Sequence, residues 1–289
     1  MPKLREIPHR SDLAETPEYP ESPFPPEVQD TPETPDNLRA QLQASRAQCA
    51  AMAAEQESFF RAVSHDLRAP LRHFLAFGQL VREALQEPDG VAEAAGYLDT
   101  MDQSARQMGR MIDALAELAR IARVEAVSLP VDMAAVIAEA QQLLQPACAG
   151  RDLVWQTATG APWPVVEADP ALLRTAWLQL LGNAVKFTRS KPQAVIAVGW
   201  QIESDNQVAI TLQDNGAGFN PAMSGQLFGV FQRLHRESEF AGIGAGLAVA
   251  QRAIHRLGGT VALTAAVQQG CTVVVRLPLW RDGISHANA

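Results

Sequence analysis

The stretch FFRAVSHDLRAPL, residues 59–71, predicts an amphipathic helix because its apolar residues recur every three or four positions. His65 lies in the middle of this helix beside Asp66, and Pro70 follows five residues on. An imidazole acts as a nucleophile when one ring nitrogen is free and a partner holds the other, a role that suits Asp66. An ordinary surface histidine beside an aspartate is the commoner explanation of such a pair, so this stretch alone does not define a site.

Helical spacing continues on both sides of this stretch. Upstream, a weak heptad seam starts at Asp36, a candidate N-cap, and downstream the apolar positions reach Leu85. EPDG at 87–90 predicts a turn, and an apolar stripe from Leu98 to Ala119 predicts a second long helix. Two such helices form an antiparallel helical hairpin. One hairpin buries too little apolar surface, so we expect two copies of the chain to pair into a four-helix bundle, as a homodimer.

After residue 124 the pattern changes to an alternation of helices and strands. Helices are predicted at 131–145, 170–187 and 246–257, and strands at 152–157, 165–168, 194–202, 207–213, 260–265 and 271–277. Strands and helices in this mixed order indicate a two-layer α/β sandwich. The predicted fold class is therefore α+β, a helical hairpin followed by a two-layer α/β sandwich.

Composition sets the N-terminal segment apart. Residues 1–36 contain nine of the 19 prolines, and nine acidic against three basic side chains give them −6 of the formal net charge of −8. Missing backbone donors and like charges predict a disordered tail or linker. The predicted domains are this tail at 1–36, the histidine-bearing hairpin at 37–124, the α/β domain at 125–282 and a short tail at 283–289.

Charge and hydropathy exclude several classes of protein. No part of the chain has the basic surface that a nonspecific nucleic-acid binder needs. No run approaches the roughly 20 apolar residues of a membrane-spanning helix, and MPKLREIPHR lacks the apolar segment of a signal peptide. Cys49, Cys148 and Cys271 have neither disulfide nor metal-ligand spacing. We expect a cytoplasmic protein without membrane insertion or bound nucleic acid.

A second candidate site lies in the α/β part, at LLGNAVKFT, residues 180–188. Asn183 and Lys186 are three residues apart, on one face of the predicted helix. An amide oxygen suits Mg²⁺, which prefers oxygen ligands, and a lysine suits a phosphate. A helix end with a solvated lysine explains this motif alone about as well.

Two glycine-containing motifs follow. In DNGAGF, residues 214–219, Asp214 would accept a hydrogen bond from an exocyclic adenine amine, and the glycines allow a ligand to approach the backbone. GIGAGLAVAQ, residues 242–251, opens a predicted helix whose N-terminal amides would face phosphate. Neither motif is a Rossmann fingerprint or a Walker A sequence. An ordinary Asn-Gly turn and flexible loop glycines are the alternatives.

The order of the motifs along the chain resembles that of the sensor histidine kinases, over about residues 37–280. SHDLRAPL resembles the H box, LLGNAVKF the N box, DNGAGF and GIGAGLA the two glycine boxes, and LFGVFQRLH, residues 227–235, the F box. The H and F boxes are most similar to those of phytochrome-type kinases. All these motifs in one order are far more specific than any one of them.

The resemblance implies a role for each matching residue. His65 would be the phosphoacceptor for ATP, with Asp66 as its acidic helper. The nucleotide site would comprise Asn183 for Mg²⁺, Lys186 for the phosphates, Asp214 and Thr272 for adenine, and a mobile lid shaped by Gly216, Gly218, Gly242, Gly244 and Gly246 and anchored by Phe228 and Phe231. The implied partners are a second copy of the chain, a response regulator receiver domain and an upstream sensor protein.

The chain departs from the family pattern at three positions. Ile243 stands where Thr is usual, and Ala245 where Leu or Ile is commoner. Ala69 replaces the hydroxyl or amide that in relatives holds water for dephosphorylation of the regulator, which predicts weak phosphatase activity.

Two other functions compete with an active kinase. A phosphotransfer or pseudokinase scaffold would carry His65 without using a nucleotide, but it would not need Asn183, Asp214 and the glycines. An ATPase similar to gyrase and Hsp90 would have a Glu one turn before Asn183. Here that position is Gln179, an amide that cannot take a proton from water.

Overall fold

The computed structural model describes residues 35–159, 161–204, 206–234, 239–240 and 242–281. The tails predicted at 1–36 and 283–289 therefore lie almost wholly outside the described residues. The chain divides into two compact units, residues 1–54 and 55–289. In the first unit the described part, from residue 35, is helical, and its described side chains are exposed. The domain boundaries predicted at 36/37 and 124/125 stay predictions.

Two long helices begin the described chain, α1 (Pro35–Ala84) and α2 (Val91–Arg123). Helix α1 continues through Pro70 without interruption. The connection between the helices closes tightly at Gly90, where a Cβ atom would come within 1.7 Å of the Ala84 carbonyl oxygen, so only glycine fits. The predicted helical hairpin is confirmed. None of the described helices is both long and apolar enough to cross a membrane.

The remaining elements form an α/β sandwich. They are β1 (Leu129–Asp132), α3 (Met133–Cys148), β2 (Asp152–Thr157), β3 (Val165–Ala168), α4 (Pro170–Phe187), β4 (Gln193–Ser204), β5 (Gln207–Asp214), a 3-10 helix (Pro221–Gln226), α5 (Gly246–Arg256), β6 (Thr260–Ala266) and β7 (Gly270–Pro278). Five strands form one sheet in the order β2-β4-β5-β7-β6, with β2 parallel to β4 and the other pairs antiparallel. Strands β1 and β3 form a separate antiparallel pair. The predicted sandwich is confirmed.

One helix, α4, is central to the core of the sandwich. Asp169 is its N-cap, accepting hydrogen bonds from the amides of Ala171 and Leu172 at 2.9 and 3.0 Å, and Pro170 occupies the first helical position. The side chain of Trp177, halfway along, is fully buried. Because α4 packs against both α3 and α5, its position is fixed from two sides.

The helix predicted at 131–145 begins two residues later than expected. Val131 and Asp132 belong to β1, which pairs with the distant β3, Val131 lying opposite Val166, 35 residues later in the chain. Asp132 then caps α3, accepting from the Ala134 amide at 2.8 Å. Periodicity within residues 131–145 contains no information about this distant partner.

The end of the hairpin is built into the sandwich. Ile121, in the last turn of α2, is completely buried in the sandwich core. Beyond the helix, the Arg256 guanidinium donates to the Val124 carbonyl oxygen, and the Val127 amide donates to the Asp169 carboxylate at 3.1 Å. Asp169 therefore holds both the start of α4 and the connection from α2.

Candidate functional site

A cavity of about 280 Å³ lies between α4, the sheet and the segment that precedes α5. We call residues 219–245, as far as they are described, the lid segment. Three separate parts of the chain line this cavity with predicted site residues, namely Asn183 and Lys186 from α4, Asp214 and Gly218 at and after the end of β5, and Gly242, Gly244 and Gly246 before and at the start of α5. The fold thus brings together seven of the residues that the sequence predicted for one nucleotide site.

Asp214 is a buried carboxylate in the wall of the cavity. Burial raises the pKa of Asp214 to about 6, although hydrogen bonds from the backbone amides of Gly216 and Cys271 act in the opposite direction. The Gly216 amide donates to Oδ1 at 2.8 Å. Burial makes ionisation of this carboxyl costly. A ligand that donates a hydrogen bond to Asp214 would stabilise the ionised form and so bind well there.

Lys186 supplies a positive charge to the same cavity. Burial is the main cause that lowers the pKa of Lys186, and the nearby Arg233 guanidinium lowers that pKa further. Its Nζ lies 4.2 Å from the centroid of the Phe187 ring, which in turn contacts the Phe240 ring edge-to-face at 5.1 Å. Two cations in one cavity disfavour each other's charge, and an anionic ligand would relieve that repulsion.

The glycines are required by close backbone packing around the cavity. Gly218 has a φ of 59°, and a Cβ atom there would lie 2.0 Å from the Ala266 carbonyl oxygen. At Gly246, the first residue of α5, a Cβ atom would lie 2.7 Å from Oε1 of Gln179. Gln179 therefore faces the start of α5 from within the cavity wall.

Of the residues predicted to contact the nucleotide or shape its lid, Gly216 and Thr272 do not line the cavity, and neither do the predicted lid anchors Phe228 and Phe231. Gly216 packs instead against the end of α4, since a Cβ atom there would lie 2.6 Å from the Phe187 carbonyl oxygen. Thr272 is paired with Gln213 in the sheet, and its neighbours Cys271 and Val273 line the cavity in its place. Side chains alternate between the two faces of a strand, so the inward position of Cys271 could have been found by placing it opposite Asp214.

Among the lining side chains to which sequence reasoning gave no role, three stand out for their chemistry. Arg233 and Phe240 come from the lid segment, and the Arg233 guanidinium donates to the Phe240 carbonyl oxygen at 3.1 Å. Cys271 lies beside Asp214, and burial, followed by the charge of Asp214, raises the pKa of its thiol to about 12. Arg233 lies within the LFGVFQRLH motif, which gave it no role, and none of the quoted motifs contains Phe240 or Cys271. Their place in the cavity depends on how the lid segment and β7 pack.

His65 lies on the hairpin and is not among the residues that line the cavity. Its side chain is 79% exposed, and Nδ1 lies 3.0 Å from Oδ1 of Asp66, whose side chain is 29% exposed. With Nδ1–H donating to the carboxylate, Nε2 carries the free lone pair. The pair has the arrangement that the sequence predicted for an oriented, accessible imidazole.

The lid segment contacts the hairpin through a small apolar cluster. Its buried members are Val63 and Met111 from the hairpin and Phe231 and Ala245 from the lid segment, and Ile243 packs against them. Phe231 has a φ of 63°, a strained conformation for a bulky residue, which indicates that its packing there is strongly constrained. We call this set the lid–hairpin cluster.

The lid–hairpin cluster lies on the side of α1 that faces away from His65. Val63 and Leu67 pack in it, and residues two positions from His65 on a helix point to nearly the opposite side. Ile243 and Ala245 line the cavity as well as joining the cluster. Two of the three departures from the family pattern, Ile243 and Ala245, therefore lie where the cavity meets the hairpin.

Amide oxygens are the groups with which this cavity fits a divalent cation beside an anionic ligand. Among the described residues, no three His, Cys, Asp or Glu side chains are close enough to hold a metal ion by themselves. The amide groups of Asn183 and Gln179 line the cavity. Mg²⁺ is commonly held by one or two protein oxygens, substrate phosphates and water, which is the donor set that this cavity offers.

Two known families match the chain. Residues 55–123 match the His Kinase A (phospho-acceptor) domain, and residues 168–281 match the histidine kinase-, DNA gyrase B- and HSP90-like ATPase domain. The first match contains His65, and the second contains every cavity residue discussed above.

Curated relatives and solved structures agree with these matches. Methanogenesis regulatory histidine kinase FilI from Methanothrix harundinacea is 30% identical over 83% of this chain and 26% of its own length. Cyanobacterial phytochrome A from a Nostoc species is 27% identical over 78% of this chain and 29% of its own length. The chain thus spans under a third of these relatives. Histidine kinase ThkA, solved in complex with response regulator protein TrrA, has the same fold, with a TM-score of 0.58 and 14% identity over 86% of this chain and 68% of its own.

Proposed function

From the membership of this chain in the two-component histidine kinases, whose phosphoacceptor and ATPase-type domains it carries, we propose that it autophosphorylates His65 from Mg-ATP. We further propose that it passes the phosphoryl group to an aspartate of a response regulator receiver domain, and that it acts in the cytoplasm. An upstream sensor protein or domain would control the reaction.

The strongest support for the proposal is that three predicted nucleotide-binding residues line one cavity. Asn183, Lys186 and Asp214 come from two different elements, and the fold places all three in one cavity. A buried carboxylate suits the adenine amine, and a largely buried lysine near an arginine suits phosphate. These are complementary to the two ends of one ligand, adenosine triphosphate.

The chemistry at His65 follows from its hydrogen bond. Asp66 holds Nδ1–H, so Nε2 attacks the γ-phosphorus of ATP; a P–N bond forms while the bond to the β-phosphate oxygen breaks, and ADP leaves. The positive charge that develops on the ring is stabilised by the Asp66 carboxylate, which can also take the Nδ1 proton. The exposure of His65 keeps it accessible to a second domain.

Mg²⁺ would be held by Asn183, with Gln179 close by, and would neutralise charge on the transferred phosphate when bound. The side chains of this chain do the rest. Lys186 and Arg233 bind the phosphates, and Asp214 orients the adenine. The lid segment excludes water from the reaction.

The alternative functions are less well supported. A scaffold that only carries a phosphohistidine would have no use for a buried Asp214 in a preformed cavity. A gyrase-type ATPase needs a base to activate water, and the residue at that place, Gln179, is an amide whose Oε1 packs against the start of α5. The cavity is therefore better suited to transfer of a phosphoryl group than to its hydrolysis.

The test is labelling with radioactive ATP and Mg²⁺, followed by acid and alkali treatment of the labelled protein. A phosphohistidine is lost in acid and retained in alkali, so the linkage can be identified. We expect His65→Gln to abolish the label and to bind ATP like the wild type, because His65 lies outside the cavity. Full labelling of His65→Gln would refute the assignment, and labelling only by an added kinase would support the scaffold.

A further inference from the structure

We infer that Arg151 is a positioning residue for the nucleotide site, holding the last turn of α4 so that Lys186 is directed into the cavity. This inference rests on the proposed function, because it concerns the binding of the ATP phosphates. Arg151 lies outside the cavity, in the turn between α3 and β2, where no motif of the sequence drew attention to it.

The guanidinium of Arg151 bridges two groups at the end of α4. Its Nη1 donates to the Val185 carbonyl oxygen at 2.8 Å, and its Nη2 donates to Thr188 Oγ1 at 3.0 Å. These acceptors lie on either side of Lys186 in the sequence. Thr188 is completely buried, so the hydrogen bonds from Arg151 and the surrounding packing fix the same end of α4.

The last carbonyls of a helix lack partners within the helix, and their satisfaction determines whether the last turn stays formed. All four final carbonyl oxygens of α4 accept hydrogen bonds. The Ala184 oxygen accepts from the amide and hydroxyl of Thr188, and the Val185 oxygen accepts from Thr188 Oγ1 and Arg151 Nη1. The Lys186 oxygen accepts from the Arg189 amide, and the Phe187 oxygen from the Ala217 amide. Arg151 provides the one cationic side chain in this set. A cation at a helix C-terminus also interacts favourably with the helix dipole.

The consequence for Lys186 follows from its surroundings. Its ammonium group is largely buried beside Arg233 and lies over the Phe187 ring, so its position depends on the backbone of this turn. Loosening the turn would move Lys186 Nζ away from the phosphate site. Asp214 is held by β5 and would stay in place, so adenine recognition would not change.

The test compares three variants. We expect Arg151→Met to raise the Kd for Mg-ATP about tenfold, since misplacing a positioned group weakens binding that depends on orientation. The Kd for adenosine, which has no phosphates, should stay at the wild-type value. Arg151→Lys keeps the charge but cannot bridge both acceptors, and should restore part of the affinity. Arg189→Met is the matched control, an exposed arginine from the same turn whose side chain makes neither bond, and should bind Mg-ATP like the wild type.

A double-mutant cycle with Lys186→Met distinguishes positioning from a general loss of structure, with calorimetry for binding and thermal unfolding to check folding. If Arg151 acts through Lys186, Arg151→Met has little further effect once Lys186 is replaced. An equal loss in that background, or an equal loss of adenosine affinity, would overturn the inference. If wild-type protein fails to bind Mg-ATP, or Lys186→Met binds it normally, the proposed function itself is wrong.

Discussion

At the scale of single residues, burial determines what the site residues can do. Asp214 and Lys186 carry opposite charges, yet burial disfavours the charged form of both. Each is therefore prepared for a ligand that restores favourable interactions, a hydrogen-bond donor at Asp214 and an anion at Lys186. His65 differs in that its side chain is largely exposed, as the proposed phosphoryl transfer to it requires.

The pKa of Asp214 predicts how nucleotide affinity depends on pH. The adenine amine is best accepted by the ionised carboxylate, and with a pKa of about 6 this form is lost as pH falls through 6. We expect the Kd for ATP to rise up to tenfold per pH unit below 6. The terminal phosphate of ATP also titrates near pH 6. Its contribution to the pH dependence is the change of Kd with pH that Asp214→Asn still shows. Calorimetry from pH 5 to 8 measures both proteins.

The same shift has an opposite consequence for folding. A carboxyl whose pKa is raised in the folded state stabilises the fold most below its unfolded pKa of 3.8, and that stability is lost as pH rises through about 6. Asp214→Asn should therefore not lower the thermal unfolding temperature at pH 7.5, although it weakens ATP binding. For ATP binding, the contradicting result is a wild-type Kd that depends on pH no more steeply than the Kd of Asp214→Asn.

At the scale of elements, the lid segment has two surfaces with different partners. Phe228 packs on the sandwich core, whereas Phe231 is buried against the hairpin. Ile243 and Ala245 contact both the cavity and the hairpin. Because the lid–hairpin cluster lies on the side of α1 opposite His65, this arrangement keeps the lid away from the face of α1 that carries His65.

Weakening the lid–hairpin cluster should therefore speed the autophosphorylation of His65, because the lid would be held less firmly away from that face of α1. Met111 lies in α2, outside the cavity, and is buried in the cluster. We expect Met111→Ala to raise the initial rate of autophosphorylation severalfold at saturating ATP, with the Kd for ATP little changed. Val267→Ala, at an exposed apolar position in the β6–β7 turn, is the control. A slower reaction in Met111→Ala would show that the cluster belongs to the active arrangement.

At the scale of the whole molecule, the hairpin leaves apolar surface uncovered in a single chain. Leu71, Leu75, Leu98 and Ile112 are each at least 46% exposed. Large exposed apolar patches mark sites of association, and two helical hairpins bury such faces by forming a four-helix bundle. The homodimer predicted from the sequence is therefore our proposal for this surface.

Light scattering with size-exclusion chromatography tests the dimer directly. We expect twice the chain mass of 31.2 kDa for the wild type at micromolar concentration. Ile112→Glu places a charge in the proposed interface and should shift the mass towards that of one chain. Val267→Glu introduces the same charge at an equally exposed position of the sandwich, and should leave the dimer intact. A monomeric wild type would show that another partner covers the hairpin.

The sequence by itself determined most of the elements and the chemistry that their motifs carry. The apolar spacing on both sides of His65 predicted α1, and the stripe from Leu98 to Ala119 predicted α2. The helix predicted at 170–187 has the bounds of α4, because such patterns depend on neighbouring residues along the chain. The motifs also identified Asn183, Lys186 and Asp214, which the fold places in one cavity.

Only the tertiary structure decided which distant segments meet. It placed Cys271 rather than Thr272 in the cavity, paired β1 with β3, packed Phe231 against the hairpin and brought Arg151 to the end of α4. Each of these contacts joins residues far apart along the chain, and which of many partners they find depends on how the whole core packs. Local spacing reports the face on which a side chain lies, whereas its partner is set by the packing of the entire fold.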